Sequence, residues 1–132
     1  MKRQISKTFY FSMAHRLTFH KGKCKNLHGH TYKLEIEISG NVDSNGMIMD
    51  FGDIDKIVSE NIIEKLDHST AIYDKDKLLL ENFPKVLMHN IFPFETTAEN
   101  LSKWIYEKLT DKIKINKVRL WESATSQATY SE

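Results

Sequence analysis

Three histidines carry the strongest chemical signal in this chain. His28 and His30 stand two apart in a segment whose even positions, His28, His30, Tyr32, Leu34, Ile36 and Ile38, fall on one face of a strand. His15 closes an earlier period-two run through Ile5, Phe9, Phe11 and Met13, so pairing of the two strands would bring the three imidazoles together. Neutral imidazoles bind zinc near neutral pH without losing a proton, and three protein ligands leave a position for water or substrate. The pattern therefore points to a catalytic metal site rather than a closed structural one. Spacing alone also fits histidines that merely end two strands. Gly29, between two of them, is consistent with a close backbone approach to a ligand.

Cys24 lies in a loop four residues before His28, between Lys23 and Lys25. A thiol beside two lysines and a divalent cation suits a base or nucleophile; it equally fits an ordinary free thiol, or a fourth zinc ligand that would close the open position. Asp67 and His68 are adjacent, and a carboxylate beside an imidazole orients it and raises its basicity, although helix-end chemistry produces the same pair. Glu122 follows Val118 and Leu120 on an inward strand face, where an ionised carboxylate needs a partner such as a ligand donor. Glu99, three residues after Thr96, has the spacing of a capping box.

The elements that must position these residues are readable from periodicity. Strands are expected over Ile5 to His15, from His28 onward, through Val118 to Glu122, and over Gln127 to Tyr130. A helix capped by Asp50 or Asp53 should run to about Leu66, with Ile54, Ile57, Val58, Ile62 and Leu66 inward. A second should span roughly Thr97 to Lys114, with Leu101, Trp104, Ile105, Leu109 and Ile113 on one side. Pro84 to Pro93 reads as irregular, with a short strand at Lys85 to Met88 as one option. The fold class is α+β: an antiparallel four-stranded sheet covered on one face by two helices.

Composition narrows the function. The 132 residues suit one domain. Nineteen Lys plus Arg against 18 Asp plus Glu give a net charge of +1, too even for a coat on nucleic acid or anionic membrane. A small anionic substrate is compatible, and with only three arginines its contacts would fall to lysines. The single cysteine excludes an internal disulfide, and neither a signal-peptide-like start nor a membrane-spanning apolar run is evident, so a soluble cytoplasmic protein is expected.

AHRL at Ala14 to Leu17 and CKNLHGH at Cys24 to His30 resemble the 6-pyruvoyl-tetrahydropterin synthase and 6-carboxy-tetrahydropterin synthase family. Further matches are MDFGDI from Met49, LDH at Leu66 to His68, TTAEN at Thr96 to Asn100 and WES at Trp121 to Ser123, so the resemblance covers essentially the whole chain. The CxxxHGH spacing is similar to the bacterial carboxy-forming branch of queuosine biosynthesis; pyruvoyl-forming enzymes typically separate the cysteine and HGH further. One departure is Thr96, where related enzymes usually have proline.

The resemblance implies that His15, His28 and His30 hold zinc and that Cys24 transfers protons. It makes Asp67 and His68 acid/base partners contributed across a subunit boundary. Glu122 would anchor the guanidine-like edge of a pterin, with Thr97 and Glu99 as further substrate contacts. Lys21, Lys23 and Lys25 are candidate triphosphate contacts, although a solvated surface lysine is the better reading of each. It also implies the tunnelling fold, assembled as a homo-oligomeric barrel, a trimer or hexamer. The implied substrate is 7,8-dihydroneopterin triphosphate, and the implied products are 6-carboxy-5,6,7,8-tetrahydropterin, acetaldehyde and triphosphate. The alternatives are a pyruvoyl-forming synthase and a noncatalytic zinc or pterin binding module.

Overall fold

The computed structural model describes residues 2–132. Two thirteen-residue strands, β1 (Arg3–His15) and β2 (His28–Gly40), form its spine. They pair antiparallel in one unbroken register from Arg3 opposite Gly40 to His15 opposite His28. Alternation dictates this register: Phe9, Phe11 and Met13 of β1 and Tyr32, Leu34, Ile36 and Ile38 of β2 are all buried. A slip of one residue would turn one of these sets to the opposite face.

Helix α1 starts at Asp50, whose side chain accepts a hydrogen bond from Gly52 N. It runs through Phe51–Val58, a wide π-type turn at Ser59–Ile63, and Glu64–Leu66. Ile54, Val58, Ile62 and Leu66 recur every four residues and are all buried. A spacing of four exceeds the 3.6 residues of an α-helical turn and would rotate the apolar stripe away from the sheet. The wide turn takes up the excess and keeps all four on one side.

The sheet has six strands, not the four expected, in the order β4-β3-β1-β2-β5-β6. It is also mixed. Strands β5 (Ile115–Ser123) and β6 (Ser126–Ser131) extend it antiparallel, whereas β3 (Ser69–Tyr73) pairs parallel with both β1 and β4 (His89–Phe92). Four of the five β3 residues are buried, so the strand shows no alternation to betray it. Beyond Pro84 the chain makes a turn, Leu87 N to Pro84 O at 3.0 Å, and β4 begins just after the Lys85 to Met88 interval in which the sequence admits a short strand. A short helix, α2 (Lys77–Asn82), was not anticipated.

Helix α3 (Ala98–Leu109) ends five residues before Lys114, because the chain must reverse into β5 at Ile115. Ile113 still reaches the core from the turn, with its N–H on Leu109 O at 2.9 Å. The expected capping box is displaced by one residue. Thr97 is the cap, accepting from Asn100 N at 3.2 Å, while Thr96 turns inward and is fully buried. Helices α1 and α3 share one core with the inward face of the sheet. The helix-free face carries polar groups, with Arg119 bridging Glu35 at 2.6 Å and Glu37 at 3.0 Å. Among the described residues no helix is long and apolar enough to cross a membrane.

The core account predicts a contrast within one residue type. Leu101→Ala, at a fully buried position, should lower unfolding free energy by about 2–5 kcal/mol in urea denaturation. Leu78→Ala, at a side chain 64% exposed, should change it by less than about 0.5 kcal/mol.

Candidate active site

The end of the β1–β2 ladder brings His15, His28 and His30 together, with one ligand atom from each lying within 4.8 Å of the others. His15 and His28 face each other across the ladder, and Met13 lies opposite His30. Ring centroids stand 4.8 Å apart for His15 and His28, 4.9 Å for His28 and His30, and 5.2 Å for His15 and His30. Two rings are held from behind. His15 Nδ1 donates to Thr96 O at 2.7 Å, and His28 Nδ1 donates to Asn26 O at 2.7 Å. A carbonyl accepts only, so both bonds fix the proton on Nδ1 and leave the Nε2 lone pair free for a metal.

Burial fixes the charge state of two of these rings. Desolvation is the main reason the His15 imidazolium is disfavoured; the Thr96 carbonyl opposes it, and His28 and His30 add repulsion, leaving the pKa at about 4. His30 is also lowered, chiefly by burial, with Glu122 opposing and His28 assisting. Both rings are therefore neutral at pH 7, as metal ligands must be. The donor set fits zinc.

Glu122 lies against this cluster. Its carboxylate oxygens stand 3.9 Å from His15 Nε2 and 3.9 Å from His30 Nε2. It also lines a cavity of about 270 Å³ with Glu99, Ala98 and the β6 residues Ser126, Gln127 and Thr129. The structure thus brings Glu99 and Glu122 to one concavity beside the histidines. Thr97 stands at the start of the same helix, its hydroxyl oxygen engaged in the cap.

Cys24 is half-buried on a three-residue 3₁₀ turn, Lys23–Lys25, and is not part of the converging ligand group. Asp67 and His68 are clamped on the β1 backbone, with Ser12 N donating to Asp67 Oδ1 at 2.9 Å and His68 N donating to Ser12 O at 2.6 Å. The Ser12 bond is the leading reason that the Asp67 carboxyl is held below its usual range. His68 adopts φ 64°, a left-handed conformation that costs a non-glycine residue roughly 1–3 kcal/mol. Its ring, 80% exposed, reaches Asp67 Oδ1 through Nδ1 at 3.0 Å and overlooks a shallow cavity shared with His30, Gly29 and Thr31. Among the described residues, no hydrogen bond within the protomer links Asp67 or His68 to Cys24.

The sequence model described as 6-pyruvoyl tetrahydropterin synthase matches residues 4–132, an interval that contains all of these side chains. The chain belongs to that family. A Haemophilus influenzae relative named 6-carboxy-5,6,7,8-tetrahydropterin synthase is 41% identical over 98% of this chain and 99% of its own length. An Aquifex aeolicus relative of the same name is 38% identical over 100% of this chain and 99% of its own. The crystal structure of 6-pyruvoyl tetrahydropterin synthase from Plasmodium vivax superposes with a TM-score of 0.83 at 22% identity, covering 100% of this chain and 98% of that one. The fold is thus the 6-pyruvoyl tetrahydropterin synthase fold.

Several supporting residues of this family member escaped the sequence reading. Thr96, Ser12 and Asn26 act through backbone groups, which residue type does not announce. Tyr32 lies under the rings of His15 and His30, its buried hydroxyl lacking a protein partner among the described residues. Burial, with Glu122 nearby, pushes that phenol upward and keeps it protonated. The period-two pattern could have flagged it as a polar tip within an apolar face.

A pH dependence follows for the metal-free protein. Unfolded His15 takes up a proton near pH 6.5 and the folded one only near 4, so His15's contribution to stability is present above about pH 6.5 and falls as the pH drops toward 4. Chelator-treated protein should lose about 2 kcal/mol of unfolding free energy between pH 7 and pH 5 through this group. His15→Gln should flatten that part of the profile in urea titrations at the two pH values.

Proposed function

We propose that the protein is a zinc-dependent 6-carboxy-5,6,7,8-tetrahydropterin synthase, a lyase acting on 7,8-dihydroneopterin triphosphate in the cytoplasmic synthesis of queuosine. The products are 6-carboxy-5,6,7,8-tetrahydropterin, acetaldehyde and triphosphate. The observation that carries the reading is near full-length similarity to bacterial relatives of that name, at up to 41% identity. The cluster of His15, His28 and His30 supports the metal requirement, and Cys24 four residues before His28 supports the carboxy-forming branch. The whole chain acts as a single domain.

His15, His28 and His30 hold the zinc. Zinc held there would supply Lewis-acid stabilisation of the alkoxide or enediolate-like charge that develops on the substrate side chain. The protein moves the protons. Cys24 exchanges a proton with the substrate side chain, and His68, oriented by Asp67, serves as its acid/base partner. Glu122 accepts paired N–H bonds from the pterin amine and ring nitrogen, with Glu99 and Thr97 beside it.

Asp67 and His68 serve the Cys24 of a neighbouring copy. This reading is supported by the exposure of His68 and by the absence of any hydrogen bond from the pair to Cys24 within the protomer. Edge strands β4 and β6 offer unpaired backbone, and joining them between copies closes a trimeric barrel, two of which can stack as a hexamer.

The pyruvoyl-forming reaction is the second reading, favoured by the description of the family model that matches residues 4–132. Anaerobic incubation of zinc-loaded protein with 7,8-dihydroneopterin triphosphate, followed by mass spectrometry, separates the readings. We expect carboxytetrahydropterin and acetaldehyde, with the rate reduced about 10²–10⁴-fold in Cys24→Ala. Pyruvoyltetrahydropterin would select the second reading; zinc-loaded, folded protein giving neither product would contradict both.

A further inference from the structure

The turn that carries Cys24 has no means of holding itself in place. It is three residues long, buries none of its residues and lacks a side-chain cap. Its own backbone bonds are few: Lys25 N to Gly22 O at 3.3 Å and Asn26 N to Lys23 O at 2.9 Å. A 3₁₀ turn of this kind is marginal without outside contacts.

Besides the His28 Nδ1 bond to Asn26 O at its end, the turn is held by the two residues that follow His15. Leu17 N donates to Cys24 O at 2.9 Å, and Arg16 Nε donates to Lys25 O at 2.7 Å. Arg16 is itself locked: its Nη1 donates to Asp76 Oδ1 at 2.7 Å, and the two side chains are only 15% and 3% exposed. Asp76 in turn caps α2, accepting from Leu79 N at 3.2 Å. The guanidinium thus spans two anchors at once, a carbonyl of the cysteine turn and a buried carboxylate. An ammonium is a point charge without this fixed fork and cannot reproduce both bonds in the same geometry.

We propose that Arg16, locked by Asp76, is a positioning residue that sets Cys24 against the three-histidine cluster. The inference rests on the proton-transfer role assigned to Cys24 above. Its geometric basis is independent of that role: adjacent residues of one strand end supply both a proposed metal ligand, His15, and the grip on the turn that bears the thiol. Movement of the turn relative to the metal site is thereby restrained.

The test uses zinc-loaded, full-length Arg16→Lys and Asp76→Asn, with steady-state kinetics, zinc content and amide hydrogen exchange. In Arg16→Lys, kcat should fall roughly 10- to 100-fold while KM stays within about twofold, because a displaced group costs rate rather than substrate affinity. Zinc content should be unchanged, and exchange across residues 22–27 should accelerate at least about tenfold while the β1–β2 ladder stays protected. Asp76→Asn, which keeps an oxygen toward Arg16, should give a smaller change in the same direction. Unchanged exchange in residues 22–27 would overturn the proposal whatever the activity does. A raised KM with full kcat would also overturn it, making Arg16 a contact to the substrate anion. Should Arg16→Lys fail to fold, Asp76→Asn decides by the same readouts. Wild-type protein without turnover would contradict the proposed reaction, and the exchange experiment would still decide whether Arg16 holds the turn.

Discussion

The pairing of β1 with β2 is the constraint on which the site depends. Thirteen consecutive pairs run without interruption from Arg3 opposite Gly40 to His15 opposite His28. The apolar residues of this ladder set its register, because each must face the helices, and the histidines are carried along at its end. Displacing one strand by a residue would bury its polar set and separate His15 from His28 and His30 at the same time. Folding and assembly of the three-histidine cluster are therefore one event. The wide turn in α1 serves the same end by keeping Ile54, Val58, Ile62 and Leu66 against this face.

Burial gives the cluster its chemistry as well as its location. Desolvation and mutual repulsion keep His15 and His30 neutral, while carbonyl acceptors at Thr96 and Asn26 choose the nitrogen that points inward. Glu122 supplies the nearby negative charge and opens onto the cavity shared with Glu99. A divalent cation would relieve the electrostatic imbalance of a carboxylate facing uncharged rings. Of the three histidines outside this arrangement, His68 is the one that is exposed, strained in φ and backed by Asp67. Neutral, inward-facing imidazoles and a water-exposed, carboxylate-backed one are suited to different work.

Much of this was legible in the sequence because the relevant signals repeat. Alternation located β1 and β2 and placed His28 and His30 on one face. The spacing of Ile54 through Leu66 located α1, and Val118, Leu120 and Glu122 shared an inward face as expected. What could not be read lacked periodicity. Strand β3 is buried almost throughout, β4 has only four residues, and both pair parallel through long connections, so a four-stranded antiparallel sheet was the expectation where a six-stranded mixed sheet exists. At the start of α3 the capping-box spacing points to Thr96, which is followed by a second threonine, Thr97. Tertiary structure chose the second because the first is needed behind His15. The grip of Arg16 on the cysteine turn involves a backbone carbonyl, which no residue pattern marks.

The central claim is that three imidazoles alone provide the protein ligands and that Cys24 stays free for proton transfer. X-ray absorption at the zinc edge of the loaded protein tests it most directly. The account predicts a first shell of nitrogen and oxygen only, at about 2.0–2.1 Å, with outer-shell scattering from three imidazoles. A sulfur scatterer at about 2.3 Å would make Cys24 a ligand and contradict the account.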